Sequence, residues 1–300
     1  MAQASLWWVG LLLDAFATLA GAGGKILLRH AAVSKNSWFY PLGLCLTAVI
    51  DPIFDLMAYS YTAQSIIAAC AGLVVVWNVL LAPCLLGEVL TYSRKCGAAL
   101  ICIGTVCVGA FGNHTEVERT PAEYLELFAR PAALAYYGGY ALWTVFALSA
   151  YCFSGPTMSA FYLCAFGGSL AGNSFTTKAA VELSECGIDV AGCDDVTNPF
   201  ESPLFYAFAG VSLTTATLSL TLLAISLRGY AALYMITVYQ GFFVLSGALS
   251  GNFVMDERNG QSSEALGAYA GSIGVVLLGL YVLTKGELDA LEQRNRSAMW

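Results

Sequence analysis

Charge is what this sequence has least of. Only 11% of its 300 residues are Asp, Glu, Lys or Arg, 58% are hydrophobic, and the mean hydropathy is +0.69. A soluble domain carries about 25% charged residues. A soluble surface needs that charge, so the deficit excludes a large soluble enzyme and requires a chain that faces lipid. Basic residues are scarcer than acidic ones: 13 Lys and Arg stand against 20 Asp and Glu, for a net charge of −7. Nucleic-acid binding needs basic patches, and it is excluded as a function. The chain has no glycine loop of the Walker or dinucleotide type, no H-E-x-x-H and no C-x-x-C. Phosphate-cradling and zinc chemistry therefore have no motif to rest on. No enzyme and no bound cofactor are expected.

What is present is a series of long apolar runs. A membrane span needs about 20 such residues. Spans are expected at about 6–28, 38–58, 65–86, 96–112, 133–152, 158–179, 204–226, 230–252 and 265–284. The first run has no basic n-region, contains Asp14 and is long for a signal peptide, so it reads as a retained span. Most of the cysteines sit inside these runs as small hydrophobes.

One stretch organises the rest. Asp51 to Glu88 reads as an apolar helix, a polar break at Tyr59 to Gln64, and a second apolar helix ending in an acid. The same plan returns near 217–257, closing on Asp256 and Glu257. Leu19-Ala20-Gly21 with Lys25 behind it matches Leu170-Ala171-Gly172 with Lys178 behind it. The expected fold is therefore an all-α integral membrane bundle of about nine helices built from two inverted repeats. It forms one domain: repeat one at about 6–112, a linking helix at about 133–152, repeat two at about 158–284 and a tail at 285–300.

Lys and Arg mark the cytoplasmic side. Eight lie on the side of the C-terminus (Arg29, Lys35, Arg94, Lys95, Arg228, Lys285, Arg294 and Arg296). Three lie on the other side (Arg119, Arg130 and Arg258). The N-terminus is expected outside and the C-terminus in the cytoplasm, in the plasma membrane or an endomembrane. The outer loops then carry 13 acids against those three bases. Such a face concentrates cations at any entrance beneath it. Cys186 and Cys193 share one outer loop, where an oxidising side permits a disulfide.

An acid inside a span costs about 2.5–3.5 kcal/mol on insertion scales and marks a functional position. Asp14, Asp51 and Asp55 qualify. Asp51 and Asp55 are four apart and share a helix face, and Pro52 between them frees a backbone carbonyl. Oxygen ligands of that kind suit a hard cation. From the rise per residue, Asp14 and Asp51 are expected at equal depth, ~5 Å outside midplane, with Asp55 ~10 Å outside. Asn78, Asn173 and Gln240 are neutral polar residues within spans. They can line the same path or bond helices together.

Ala58-Tyr59-Ser60-Tyr61-Thr62-Ala63, followed by an apolar helix closing on Leu86-Gly87-Glu88, resembles the drug/metabolite transporter superfamily. Within it, the span-one ending GAGGKILLRHA is similar to that of the NIPA-type magnesium transporters. Pro52 stands where that family has a helix-two Glu, with Asp51 adjacent, and Asp55 stands where it has Asn. The resemblance implies nine spans and magnesium as cargo; the acids found within the spans, Asp51, Asp55 and Asp14, are its expected ligands. The expected partners are the bilayer, a divalent cation or small metabolite, and a second copy in a homodimer. The alternative is a metabolite carrier of the same superfamily, for a nucleotide sugar, an amine or an amino acid.

Overall fold

The computed structural model describes residues 6–34, 38–86, 91–113, 119–187, 200, 202–226 and 232–298. Among them, every extended element is helical. α1 is Trp7–Ser34. The second apolar run forms α2 (Phe39–Cys45), a π-helical turn (Leu46–Ile50) and α3 (Asp51–Tyr59). The third forms α4 (Gln64–Cys70) and α5 (Leu73–Leu86), and α6 is Tyr92–Phe111. A short α7 (Pro121–Phe128) precedes α8 (Pro131–Phe153). The sixth run is broken into α9 (Pro156–Gly172) and α10 (Phe175–Gly187). α11 (Pro203–Ser226), α12 (Ala232–Phe253) and α13 (Ser263–Ala298) complete the chain.

Among the described residues, six stretches are long and apolar enough to cross a membrane: Trp7–Leu27, Phe39–Tyr59, Gln64–Leu81, Tyr92–Phe111, Pro203–Ser226 and Ser263–Gly286. Three of the nine expected spans are not in that set. α8 is one continuous helix whose apolar run is diluted by Tyr136, Tyr137, Gly138, Gly139 and Tyr140. α9 and α10 are separate, shorter helices. In Pro203–Ser226 only 11% of the apolar window is buried. Leu213 and Leu220 on α11 and Leu142 and Val145 on α8 are exposed. Outward apolar faces on this scale need lipid, and the protein is an integral membrane protein.

Pro52 explains the π turn. It sits in the first turn of α3, has no N–H to donate, and would press its ring on the carbonyl four residues back. The wider turn just before it opens the ladder at that point.

The packing is pairwise. α1 lies on α3 and α5, α9 lies on α11 and α12, α6 runs along α13, and α4 rests on α12. The α6–α13 contact is close enough that a Cβ built on Gly97 would stand 2.8 Å from the Gly279 oxygen. Ile101, Val108, Val276 and Leu283 complete that core. α7 is fixed by a capping box between Thr120 and Glu123, and it buries Tyr124 and Leu127 against Leu183, Phe208 and Met255. The tail expected from 285 continues α13 as helix through Ala298.

Candidate functional site

Asp14 on α1 is 2% exposed. Its carboxyl group meets that of Asp55 on α3 and the thiol of Cys70 at the end of α4. One of its oxygens, Oδ2, is nevertheless buried without a hydrogen-bond partner. Phe16 and Phe54, beside the two acids, pack edge-to-face at 4.8 Å and fix the register of the helices.

Asp51 stands one turn away. Its Oδ2 lies against Gly21, where a Cβ would stand 2.2 Å off. Only glycine lets the carboxyl group reach the α1 backbone there. Lys25 is the charge partner of Asp51. The expectation of equal depth is therefore corrected: Asp14 lies beside Asp55, and Asp51 lies opposite Gly21, seven residues further along α1. α1 and α3 run antiparallel, so a residue early in α1 meets one late in α3. Among the described residues, no three His, Cys, Asp or Glu side chains form a group that could hold a metal ion. Asp14 and Asp55 stand as a close pair, with Asp51 one helical turn away.

The neutral residues divide. Asn173 occupies the break between α9 and α10, and its Oδ1 accepts from the Tyr136 hydroxyl. Its neighbour Ser174 accepts from Tyr59 at 2.8 Å, and Tyr59 faces both Asp55 and Asp14. Asn173 thus sits one layer behind the acids. Gln240 is buried on α12 with Oε1 unpartnered, and Asn78 is half-buried on α5. No described hydrogen bond ties either of them to the acid pair.

Sequence reasoning missed the residues that hold the Tyr59–Gln64 break. Lys178 Nζ donates to the carbonyl of Tyr59 at 2.5 Å and of Thr62 at 3.1 Å. It also pairs with Glu182 at 3.2 Å. Glu257 accepts from the backbone N–H of Gln64 at 2.7 Å and of Ser65 at 3.0 Å. The Gln64 side chain donates to Ser250 at 2.7 Å. Asp256, just before Glu257, has φ 57°, a left-handed value that Asp tolerates better than most residues. The only foretaste in the sequence was a buried-looking lysine at a span end and an acid pair after an apolar helix.

Above the break lies a charged vestibule of about 570 Å³. Its lining includes Arg119, Arg130, Lys178, Glu182, Asp256 and Glu257. Arg130 pairs with Asp256, and Tyr124 donates to Glu182. Burial holds the Glu257 carboxyl above its ordinary range, outweighing the bonds from Ser65 and the nearby Lys178 ammonium. The outer-loop residues Glu116, Glu118, Asp189, Cys193, Asp194, Asp195 and Glu201 lie outside the described residues, as does Glu88. Cys186 lies in the last turn of α10, and its pairing with Cys193 is outside the described contacts.

A second cavity, also about 570 Å³, is apolar and aromatic. Trp143 of α8 stacks on Phe242 of α12 at 5.2 Å, and Tyr136 on Tyr140 at 6.2 Å. Trp143 Nε1 donates to Ser169 at 3.0 Å.

No family model matches the chain, and no solved structure matches it. Over 125 residues it is 29% identical to a protein of Arabidopsis thaliana described as probable magnesium transporter NIPA8. That match takes in 40% of this chain and 26% of the relative, so the chain covers about a quarter of the relative's length.

Proposed function

We propose that the chain is a nine-span, inverted-repeat carrier that moves a divalent cation, Mg²⁺, inward between its two halves. The observation that carries this reading is the buried Asp14–Asp55 pair. Two carboxyl groups in contact repel when both are ionised. A dication between them removes that repulsion and gains two oxygen ligands. Magnesium keeps several waters and takes only one or two carboxylates, so a pair suffices where a closed cage is absent. Asp51, one turn along, offers the next acidic foothold on the same path. The packing is consistent with two related halves: α1 against α3 parallels α9 against α11, and α6 meets α13 between them. A negative-inside potential supplies the drive, about 4.6 kcal/mol for two charges crossing 100 mV.

The test is uptake in a magnesium-dependent growth strain, with Mg²⁺ compared against other divalent ions. Wild type should rescue growth, and the Asp51→Asn, Asp55→Asn double variant should not, at equal membrane abundance. Normal Mg²⁺ uptake by the double variant would sink the assignment.

The aromatic cleft favours one other reading, a carrier for an organic amine. Its volume suits a small organic ligand, and the faces of Trp143, Tyr136 and Tyr140 attract cations. Under that reading, Trp143→Ala abolishes amine uptake and no Mg²⁺ uptake is seen with any variant.

A further inference from the structure

We infer that Lys178 and Glu257 are positioning residues that shut the path between the vestibule and the Asp14–Asp55 pair. They do so by gripping the two ends of the α3–α4 break. The inference rests on the transport reading for its purpose, but the closure can be measured without any cargo.

A helix end leaves backbone carbonyls without partners, and a helix start leaves N–H groups without them. At this break both sets are buried and both are met by charges. The Lys178 ammonium reaches the Tyr59 and Thr62 carbonyls, the negative end of α3. The Glu257 carboxylate takes the Gln64 and Ser65 N–H groups, the positive start of α4. Each charge has the sign that its helix end favours. Both come from the second half of the chain, Lys178 from α10 and Glu257 from the turn after α12. Lys178 is itself held by Glu182 at 3.2 Å and is 2% exposed. Small residues let α12 approach: a Cβ on Gly247 would stand 2.2 Å from the Ala68 side chain, and one on Gly251 would stand 2.9 Å from that of Ser65.

The break is also the floor of the vestibule, because Ala63, Lys178 and Glu257 all line that cavity. Beneath the floor, Asp55 lies four residues before Tyr59. Cys70 lies five residues past Ser65, about 8 Å deeper at the helical rise. Cys70 has no exposed surface, although it meets Asp14. An ion in the vestibule therefore reaches the acids only when the break shifts, and the break shifts only when these charges let go. Two independent grips on one short segment make the closure a defined state of the chain.

Cys70 is a built-in reporter. The full chain in lipid nanodiscs is treated with a membrane-impermeant maleimide, and modification is read at Cys70 by mass spectrometry. Wild-type Cys70 is expected to be protected. In Lys178→Met and in Glu257→Gln it should react about tenfold faster, the response when release costs about 1.4 kcal/mol less. Lys178→Arg, which keeps charge and donors, should retain protection. Cys164, buried in the second half against the Met235 carbonyl, should stay protected throughout. Wild-type protection of Cys70 in both variants overturns the inference. So does wild-type Cys70 that reacts freely, or Cys164 exposed together with Cys70, which means general loosening. A chain that fails to carry Mg²⁺ leaves this labelling pattern untouched, so the two readings fail separately.

Discussion

Glu257 accepts the backbone N–H of Gln64 at 2.7 Å across 193 residues of chain. With Lys178 on the other end of the same break, it ties the first half of the bundle to the second at the floor of a charged vestibule. One helical turn below stand Asp55 and Asp14. The electrostatics of the vestibule and of the acid pair are thus joined through one short segment.

The acid pair should behave as a unit. Asp14→Asn and Asp55→Asn are each expected to lower Mg²⁺ uptake at least ~10-fold, and the double variant should be little worse than either, because residues acting together are non-additive. Initial rates across a concentration series check this. Full multiplicativity of the two losses would mean that the carboxyl groups act separately.

Gly21 and Gly23 should respond with opposite signs. Alanine at Gly21 drives its Cβ into the Asp51 carboxyl group, and overpacking of this kind costs about 1–3 kcal/mol. A Cβ at Gly23 meets nothing within 4 Å, so Gly23→Ala should be neutral or stabilising by up to ~1 kcal/mol through helix propensity. Thermal unfolding in detergent separates them. Equal melting shifts would remove the Asp51–Gly21 contact from the account.

Stability should carry a pH signature from Glu257. Its folded value is raised, chiefly by burial, so the folded state holds the proton more readily than the unfolded chain. The contribution is fully present below the ordinary carboxyl value and is lost as pH rises through the raised one. The charged and titratable groups facing it are Lys178, Tyr59 and Tyr269. Melting temperature against pH should therefore fall across that window in wild type, relative to Glu257→Gln. A flat difference curve would show that Glu257 does not titrate there.

Orientation follows from the Lys and Arg asymmetry. A tag after Trp300 should be protected in intact cells and one near Asp194 should be reachable. Equal labelling of both from outside would refute the span count.

The sequence by itself determined the medium and the inventory. A charge deficit this deep leaves no solution but lipid, and an acid within an apolar run announces itself because its cost is local. Asp14, Asp51 and Asp55 were legible for that reason, as was the polar break from Tyr59 to Gln64. What the sequence could not carry was pairing. Depth counted from span middles set Asp14 level with Asp51, whereas antiparallel packing of α1 on α3 sets it beside Asp55, with Gly21 making room for Asp51. Cys70 looked like one more small hydrophobe until α4 brought it to Asp14. Lys178 and Glu257 looked like charges at span ends until the second half of the bundle closed over the first. Burial then left the carbonyls and N–H groups of the break with no water to bond, and only side chains more than a hundred residues away were placed to meet them.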